Sequence, residues 1–168
     1  NRYSILNTNT ILDKSVVRIG LLLKGTDEIS DVHLYIRHLK KYGEVIIRPH
    51  PNMVKLEINK KLISIWADEI HFSDPWLESE NLFLSRIDLL ISGNSTMSLE
   101  AAVMNVMPIY VESMSGGVID YYGFAKNKVT INAKKVEDFS TRHIQTMEKY
   151  KANSDAIKYY NETYMTSH

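Results

Sequence analysis

Residues 89–102 read LLISGNSTMSLEAA, and no other stretch of the sequence says as much about the fold. An aliphatic run ends at Gly93, two hydroxyl residues follow, and an alanine- and methionine-rich helical pattern begins. A buried strand that turns into a helix in this way presents unpaired backbone N–H groups and the positive end of the helix dipole. With the hydroxyls of Ser95 and Thr96 added, the stretch predicts a phosphate site. Capping of the helix by Asn94 or Ser95 alone is the alternative interpretation.

Short aliphatic runs alternate with helical spacing along most of the chain. The predicted strands are Val16–Leu23, Glu44–Arg48, Glu69–Ser73, Asp88–Ser92, Pro108–Val111 and Lys128–Ile131. The predicted helices are one from Asp31 that Gly43 closes as a C-terminal cap, then Met53–Trp66, for which a strand is the alternative, Trp76–Ile87 and Ser95–Asn105. Such alternation implies parallel strands joined by right-handed crossovers. The sequence therefore predicts an α/β fold: a Rossmann-like, doubly wound parallel sheet of about six strands with C-terminal helices.

The chain divides into three predicted segments. Residues 1–15, rich in Asn and Thr, form a linker or edge segment. Residues 16–133 form the Rossmann-like domain, and residues 134–168 form helices that pack on it.

Composition narrows the range of functions. Of the 168 residues, 44% are hydrophobic and 24% are charged, which is typical of a globular protein. The charges of twenty basic and twenty acidic side chains cancel, so the composition does not indicate the excess of basic residues that a general nucleic-acid binder has. The absence of cysteine excludes disulfides, thiol catalysis and thiolate zinc sites. Because the histidines also lack metal-ligand spacing, we predict no metal and no cofactor. A P-loop and a GxGxxG fingerprint are both absent, which argues against NTP hydrolysis and dinucleotide redox chemistry.

Three polar loops follow predicted strands, and in the usual Rossmann strand order they open on one edge of the sheet. They contain Gly25-Thr26, Pro49-His50-Pro51 and the turn from Gly93 to Thr96. The prolines fix the backbone around His50, which would hold its imidazole on a stiff support. There the ring could donate a hydrogen bond to a phosphate or carry a proton. An ordinary loop histidine beside turn-forming prolines is the alternative.

Glu100 lies one to two turns into the helix that follows Ser95-Thr96. A carboxylate at that distance from a bound phosphate would reach the hydroxyls of a ribose. A solvent-facing helical glutamate is the alternative, since glutamate is seldom buried.

Several of these motifs, in this order, carry a family resemblance. They are RPHP at 48–51, DLLISGNST at 88–96, LEA at 99–101 and Pro108. The chain thereby resembles the C-terminal, donor-binding half of GT-B glycosyltransferases, in particular bacterial surface and capsular polysaccharide transferases, including polysialyltransferase-like and glycerophosphotransferase-like enzymes. Those families hold the phosphate of an activated donor with a His-Pro motif and a Ser-Ser/Thr motif. Two features depart from the pattern: Ser92 replaces the second glutamate of glycogen-synthase-type enzymes, and the segment from Asn105 to Pro108 is one residue longer than the usual Gly-x-Pro.

The resemblance implies roles for named residues. His50 would act at the departing phosphate as the catalytic residue, and Glu100 would contact the ribose. The other residues implied in nucleotide or phosphate binding are Gly25, Thr26, Pro51, Gly93, Asn94, Ser95 and Thr96. The donor would be a CMP-, CDP- or UDP-linked sugar, and residues 16–133 would be the nucleotide-sugar-binding domain.

The resemblance also implies partners. A GT-B enzyme needs an N-terminal domain that binds the glycan acceptor and supplies the base of an inverting reaction, and this chain has room for only one Rossmann domain. We therefore expect a cytoplasmic donor-binding half, located at the inner face of the membrane if the missing part associates with it. An epimerase-like enzyme acting on UDP-N-acetylglucosamine, and a non-enzymatic flavodoxin-like interaction module, are the alternatives.

Overall fold

The computed structural model describes residues 16–54, 57–150 and 154–165, so the predicted linker at 1–15 lies outside the described residues. The fold is α/β and Rossmann-like, with six parallel strands and flanking helices, as the sequence predicted. The chain divides into two compact units, one ending at Asp88 and the other beginning at Leu89.

The first unit contains three strands and three helices. They are β1 (Arg18–Leu22), α1 (Ile29–Leu39), β2 (Glu44–Arg48), α2 (Glu57–Trp66), β3 (His71–Phe72) and α3 (Glu80–Ser85). The strands run parallel in the order β3-β2-β1, with Ile19 opposite Val45 and Ile46 opposite His71. Aliphatic residues fill the middle of β1 and β2 because both faces of a parallel sheet are covered by helices.

The second unit contains the other three strands. Its elements are β4 (Leu89–Ser92), α4 (Met97–Val103), β5 (Met107–Val111), β6 (Ile131–Ala133), α5 (Thr141–Lys149) and α6 (Ser154–Tyr160), which continues into a π-helical turn at Asn161–Met165. The strands run parallel in the order β4-β5-β6. Every residue of β4 and β5 is buried. Helix α6 packs its buried Tyr160 against Phe124, edge to face, beside Leu99 of α4.

Helix α4 ends in a Schellman motif. The backbone N–H of Val106 donates to the carbonyl of Ala101, and that of Asn105 donates to the carbonyl of Ala102. Asn105 has φ of 61°, the left-handed conformation that glycine usually takes at this position. The extra residue before Pro108 therefore fits a normal helix end, and β5 begins at Met107.

Several predicted elements differ from the structure in their details. Helix α1 ends at Leu39, and Gly43 does not cap it: a Cβ there would lie 2.2 Å from the carbonyl oxygen of Val17, so the glycine permits a close backbone approach. The predicted helix Trp76–Ile87 shortens to Glu80–Ser85, because Asp74 organises a turn ahead of it. The predicted helix Ser95–Asn105 shortens to Met97–Val103.

The last strand was predicted too early, at Lys128–Ile131. Lys128 has φ of 61°, and the N–H groups of Val129 and Thr130 donate back to the carbonyl of Phe124. These residues therefore close a turn, and β6 begins only at Ile131.

Helix α5 begins with a histidine cap that predicts a pH dependence. The Nδ1 atom of buried His143 accepts the Ser140 backbone N–H at 3.0 Å, and its ring stacks on Phe139. Burial lowers the pKa of His143, and the positive charge of Arg142 lowers it further, while the backbone hydrogen bond with Ser140 and the charge of Asp138 act in the opposite direction. In the unfolded chain the ring protonates near its usual pKa of about 6.5. The stability that the neutral ring contributes is therefore complete above that pH, and it is lost as the pH falls through the lower native pKa.

We expect His143→Gln to remove this part of the pH dependence. The measurement is the urea midpoint of both proteins from pH 8 to pH 5, and the expected result is a smaller decline for the variant. Equal declines in the two proteins would show that His143 does not contribute.

Candidate functional site

His50 is the N-cap residue of a short 3₁₀ turn, Pro51–Met53, that follows β2. Its Nδ1 atom accepts the backbone N–H of Asn52 at 3.1 Å. Because Nδ1 is an acceptor here, the neutral ring carries its proton on Nε2. The side chain is exposed, and a Cβ built on Gly25 would lie 3.8 Å from Nδ1. The structure thus brings together two of the predicted residues and presents the histidine as a donor.

The Gly25 loop is held by a carboxylate. The Asp27 Oδ2 atom accepts the Lys24 backbone N–H at 2.8 Å, and its other oxygen lies 4.0 Å from the Lys24 ammonium. Burial raises the pKa of Asp27, and the backbone hydrogen bond from Lys24 partly offsets this. Thr26 is exposed at the tip of the turn.

A buried arginine lies beneath the His50 turn. Arg48, the last residue of β2, is 5% exposed, and its guanidinium lies 5.4 Å from the centre of the Phe83 ring. It donates to the Ser73 hydroxyl at 2.8 Å, and that hydroxyl donates to Glu78, which also accepts from Arg86. Two guanidiniums and one carboxylate give this cluster a net positive charge.

In the second unit, Gly93 makes the turn after β4. A Cβ at this position would lie 2.2 Å from the carbonyl oxygen of Met114 and 2.6 Å from its carbonyl carbon. The glycine is therefore required by the close approach of the backbone that follows β5.

Asn94 joins this turn to the loop after β5. Its Nδ2 atom donates to the carbonyls of Ser115, at 3.0 Å, and Val118, at 2.6 Å. Its Oδ1 atom accepts the backbone N–H of Tyr121 at 2.9 Å. The amide side chain is thus committed to holding the loop, which the sequence did not indicate.

The two hydroxyl residues have different environments. The Oγ atom of half-buried Ser95 accepts the Met97 backbone N–H at 3.1 Å, so Ser95 caps α4. Thr96 stands at the N-cap position, is exposed, and makes no side-chain capping bond. Glu100 lies half-buried in the first turn of the helix. The capping interpretation therefore holds for Ser95, and the binding roles of all three residues stay predictions.

Two serines lie below the turn. Ser92, at the end of β4, and Ser98, in α4, are each 1% exposed, and their Oγ atoms are 3.2 Å apart. Ser92 also donates to the Gly93 carbonyl at 3.3 Å. Ser98 is thus a buried structural residue.

Residues 16–54, 57–150 and 154–165 contain no group of three or more His, Asp or Glu side chains arranged to hold a metal ion. No helix among these residues has the length and apolar character needed to cross a bilayer.

Comparison with known proteins gives structural likeness without sequence likeness. No protein-family model matches the sequence, and no curated protein matches it. Among solved structures, a histidine variant of the wall teichoic acid polymerase TagF aligns with a TM-score of 0.59 at 12% identity, covering 95% of this chain and 45% of the polymerase chain. A TagF structure soaked with CDPG aligns with a TM-score of 0.58 at 15% identity, covering 95% and 43%.

A second enzyme class has a similar fold. The UDP-GlcNAc 2-epimerase of Neisseria meningitidis, bound to UDP-GlcNAc, aligns with a TM-score of 0.52 at 13% identity, covering 89% of this chain and 43% of the epimerase. At these identities the likeness establishes the fold. The chain spans less than half the length of these structures.

Proposed function

We propose that this chain is the donor-binding half of a GT-B-type transferase that uses a nucleotide-activated sugar or a nucleotide-activated polyol phosphate. In this proposal a CMP-, CDP- or UDP-linked donor binds at the loops that follow the strands. A separate N-terminal domain binds the glycan acceptor, and the product is a bacterial surface or capsular polysaccharide. The site of action is the cytoplasm, with membrane association supplied by the missing part.

The arrangement of His50 is the observation that carries the proposal. Because Nδ1 accepts the Asn52 N–H, Nε2–H remains as a donor on an exposed ring that rests over Gly25. A hydrogen bond from this group would stabilise the charge that develops on a departing nucleotide phosphate. His50 is therefore assigned as the catalytic residue, and Gly25, Thr26 and Pro51 as the residues that shape its surroundings.

The turn at 93–96 supplies the second set of proposed contacts. Exposed Thr96 is assigned to a donor phosphate, Ser95 divides its hydroxyl between capping and binding, and Glu100 is assigned to the ribose. Gly93 and Asn94 hold the turn in shape, so their part in binding is through the backbone.

The test of this function is nucleotide binding by the full chain. Calorimetry and thermal shift with CMP, CDP and UDP, and with their sugars, should give saturable binding that His50→Ala weakens. If a folded chain binds none of these ligands, the proposal is wrong. Binding restricted to CMP would favour sialic-acid-type donors, and binding of UDP would favour hexose donors.

The adjacent hydroxyls allow capping and binding to be separated. Ser95→Ala should lower the free energy of unfolding by about 1 kcal/mol because it removes a capping acceptor. Thr96→Ala should change stability by less than about 0.5 kcal/mol, since its side chain makes no capping bond. If Thr96 binds a phosphate, that same substitution should weaken nucleotide binding about tenfold, which calorimetry measures. Unchanged affinity in Thr96→Ala would remove this residue from the site.

The epimerase-like function is the second candidate, because the epimerase fold is similar over 89% of this chain. It predicts a preference for UDP over the other nucleotides and conversion of UDP-N-acetylglucosamine to its 2-epimer. NMR of that sugar nucleotide after incubation with the protein distinguishes the two functions.

A further inference from the structure

We infer that the segment 74–78 is a positioning element for His50, with Trp76 and Glu78 as its positioning residues. The inference rests on the proposed function insofar as it gives His50 a ligand. The structural part of the inference concerns only the first unit.

Trp76 makes the first attachment. Its indole Nε1–H donates to the Pro51 carbonyl at 3.1 Å, on the side of the turn that follows His50. Trp76 is 64% exposed, so burial does not explain the position of its side chain. Within the segment, Asp74 accepts the backbone N–H of Trp76 through Oδ1, and its carbonyl accepts the N–H groups of Leu77 and Glu78. The indole is thus carried on a closed turn.

Glu78 makes the second attachment. It accepts from the Ser73 hydroxyl, which in turn accepts from buried Arg48, and its other oxygen accepts from Arg86. The Ser73 backbone N–H also donates to the Ile47 carbonyl at 2.8 Å, which extends the pairing of the two strands. This chain of hydrogen bonds fixes Arg48, two residues before His50.

Both sides of His50 are therefore held by one segment. Arg48 is held on the side that precedes the histidine, and the carbonyl of Pro51 is held on the side that follows it. The Asn52 N–H, which belongs to the same peptide group as the Pro51 carbonyl, holds Nδ1 and so determines which nitrogen carries the proton. A donor that is fixed before the ligand arrives loses less conformational freedom on binding, which raises affinity.

The alternative for Trp76 is an apolar contact surface shared with Leu77, which is 87% exposed. Only the hydrogen-bond role depends on the indole N–H. Trp76→Phe removes that donor and keeps an aromatic ring, whereas Leu77→Ala removes apolar surface from the same turn and is the matched control.

The experiment compares the full chain with its Trp76→Phe, Glu78→Gln and Leu77→Ala variants. The first readout is the ¹⁵N chemical shifts of the His50 ring without ligand, assigned by their loss in His50→Ala. We expect the protein to show the Nε2–H tautomer. Trp76→Phe and Glu78→Gln should move both ring nitrogens toward the averaged values of a mixture, and Leu77→Ala should not.

The second readout is the ratio of affinities for a nucleotide and its nucleoside, measured with CMP and cytidine and with UMP and uridine. Trp76→Phe should lower this ratio about threefold or more, at a melting temperature within about 3 °C of the original protein. A general loss of structure would instead weaken both ligands alike.

The two outcomes that would overturn these ideas are distinct. Unchanged His50 ring shifts in both Trp76→Phe and Glu78→Gln would overturn the positioning role. Failure of the original protein to bind any nucleotide would overturn the proposed function, while the ring shifts would still decide whether the segment positions His50.

Discussion

Gly93→Ala is expected to lower the free energy of unfolding by about 3 kcal/mol or more, because the added methyl group meets backbone and not a flexible side chain. The Cβ would lie 2.2 Å from the Met114 carbonyl oxygen and 3.1 Å from the Ser115 backbone nitrogen. The backbone at Met114 and Ser115 is held in place and cannot easily move away from the added methyl group. The Met114 side chain is buried, and the Ser115 backbone N–H donates to the Glu112 carbonyl while its own carbonyl accepts from Asn94.

Urea unfolding followed by circular dichroism measures this effect. Gly117→Ala is the matched control, because a Cβ at Gly117 would have nothing within 4 Å, and its midpoint should stay near that of the original protein. Similar midpoints for Gly93→Ala and Gly117→Ala would contradict the close approach to Met114.

Asn94→Ala should lower the free energy of unfolding by about 2–3 kcal/mol, because it removes three hydrogen bonds that each contribute about 1 kcal/mol. The loss should be local at first: the loop over residues 115–121 depends on this amide at Ser115, Val118 and Tyr121. Hydrogen exchange of the Tyr121 amide, which donates to Asn94, should therefore accelerate in the variant.

Asn94→Asp gives a stricter test of the same geometry. Aspartate has the same shape and still offers an oxygen to the Tyr121 N–H, but it places a second oxygen against the carbonyls of Ser115 and Val118. Repulsion between these oxygens should make the aspartate variant at least as unstable as the alanine variant. An aspartate variant as stable as the original protein would mean that the amide is oriented differently.

The sequence predicts the bounds of a strand best where an apolar run is flanked by charged residues or by residues that break strands, such as proline. Strand β2 was predicted to the residue, because a charged residue opens an aliphatic run that Pro49 stops. Strand β4 was predicted to within one residue for the same reason. Residue propensities do not predict that Lys128 adopts the left-handed conformation, so the start of the following strand was predicted three residues too early.

At the candidate site, the sequence mainly failed to predict side-chain contacts between residues that lie far apart in the chain. The order of strands and loops was enough to predict that the Gly25 loop and His50 open on the same edge, and a Cβ at Gly25 would lie within 4 Å of the ring. Nothing local indicates that Asn94 holds a loop 21 to 27 residues away. The Asp74-Pro75 pair is typical of a turn. The helical spacing from Trp76 onward nevertheless predicted a helix there, so the hydrogen bond from Trp76 to the Pro51 carbonyl was not foreseen.

The hydrogen bond between the buried hydroxyls of Ser92 and Ser98 makes the effect of a substitution at one position depend on the residue at the other. If Ser92 alone became alanine, the Ser98 hydroxyl would lose this hydrogen bond within an apolar layer, at a cost of about 1–3 kcal/mol. Exchange of both serines for small apolar residues would remove the two polar groups together and could be nearly neutral. Natural substitution at these two positions is therefore expected to be correlated, with serine retained at both or replaced at both.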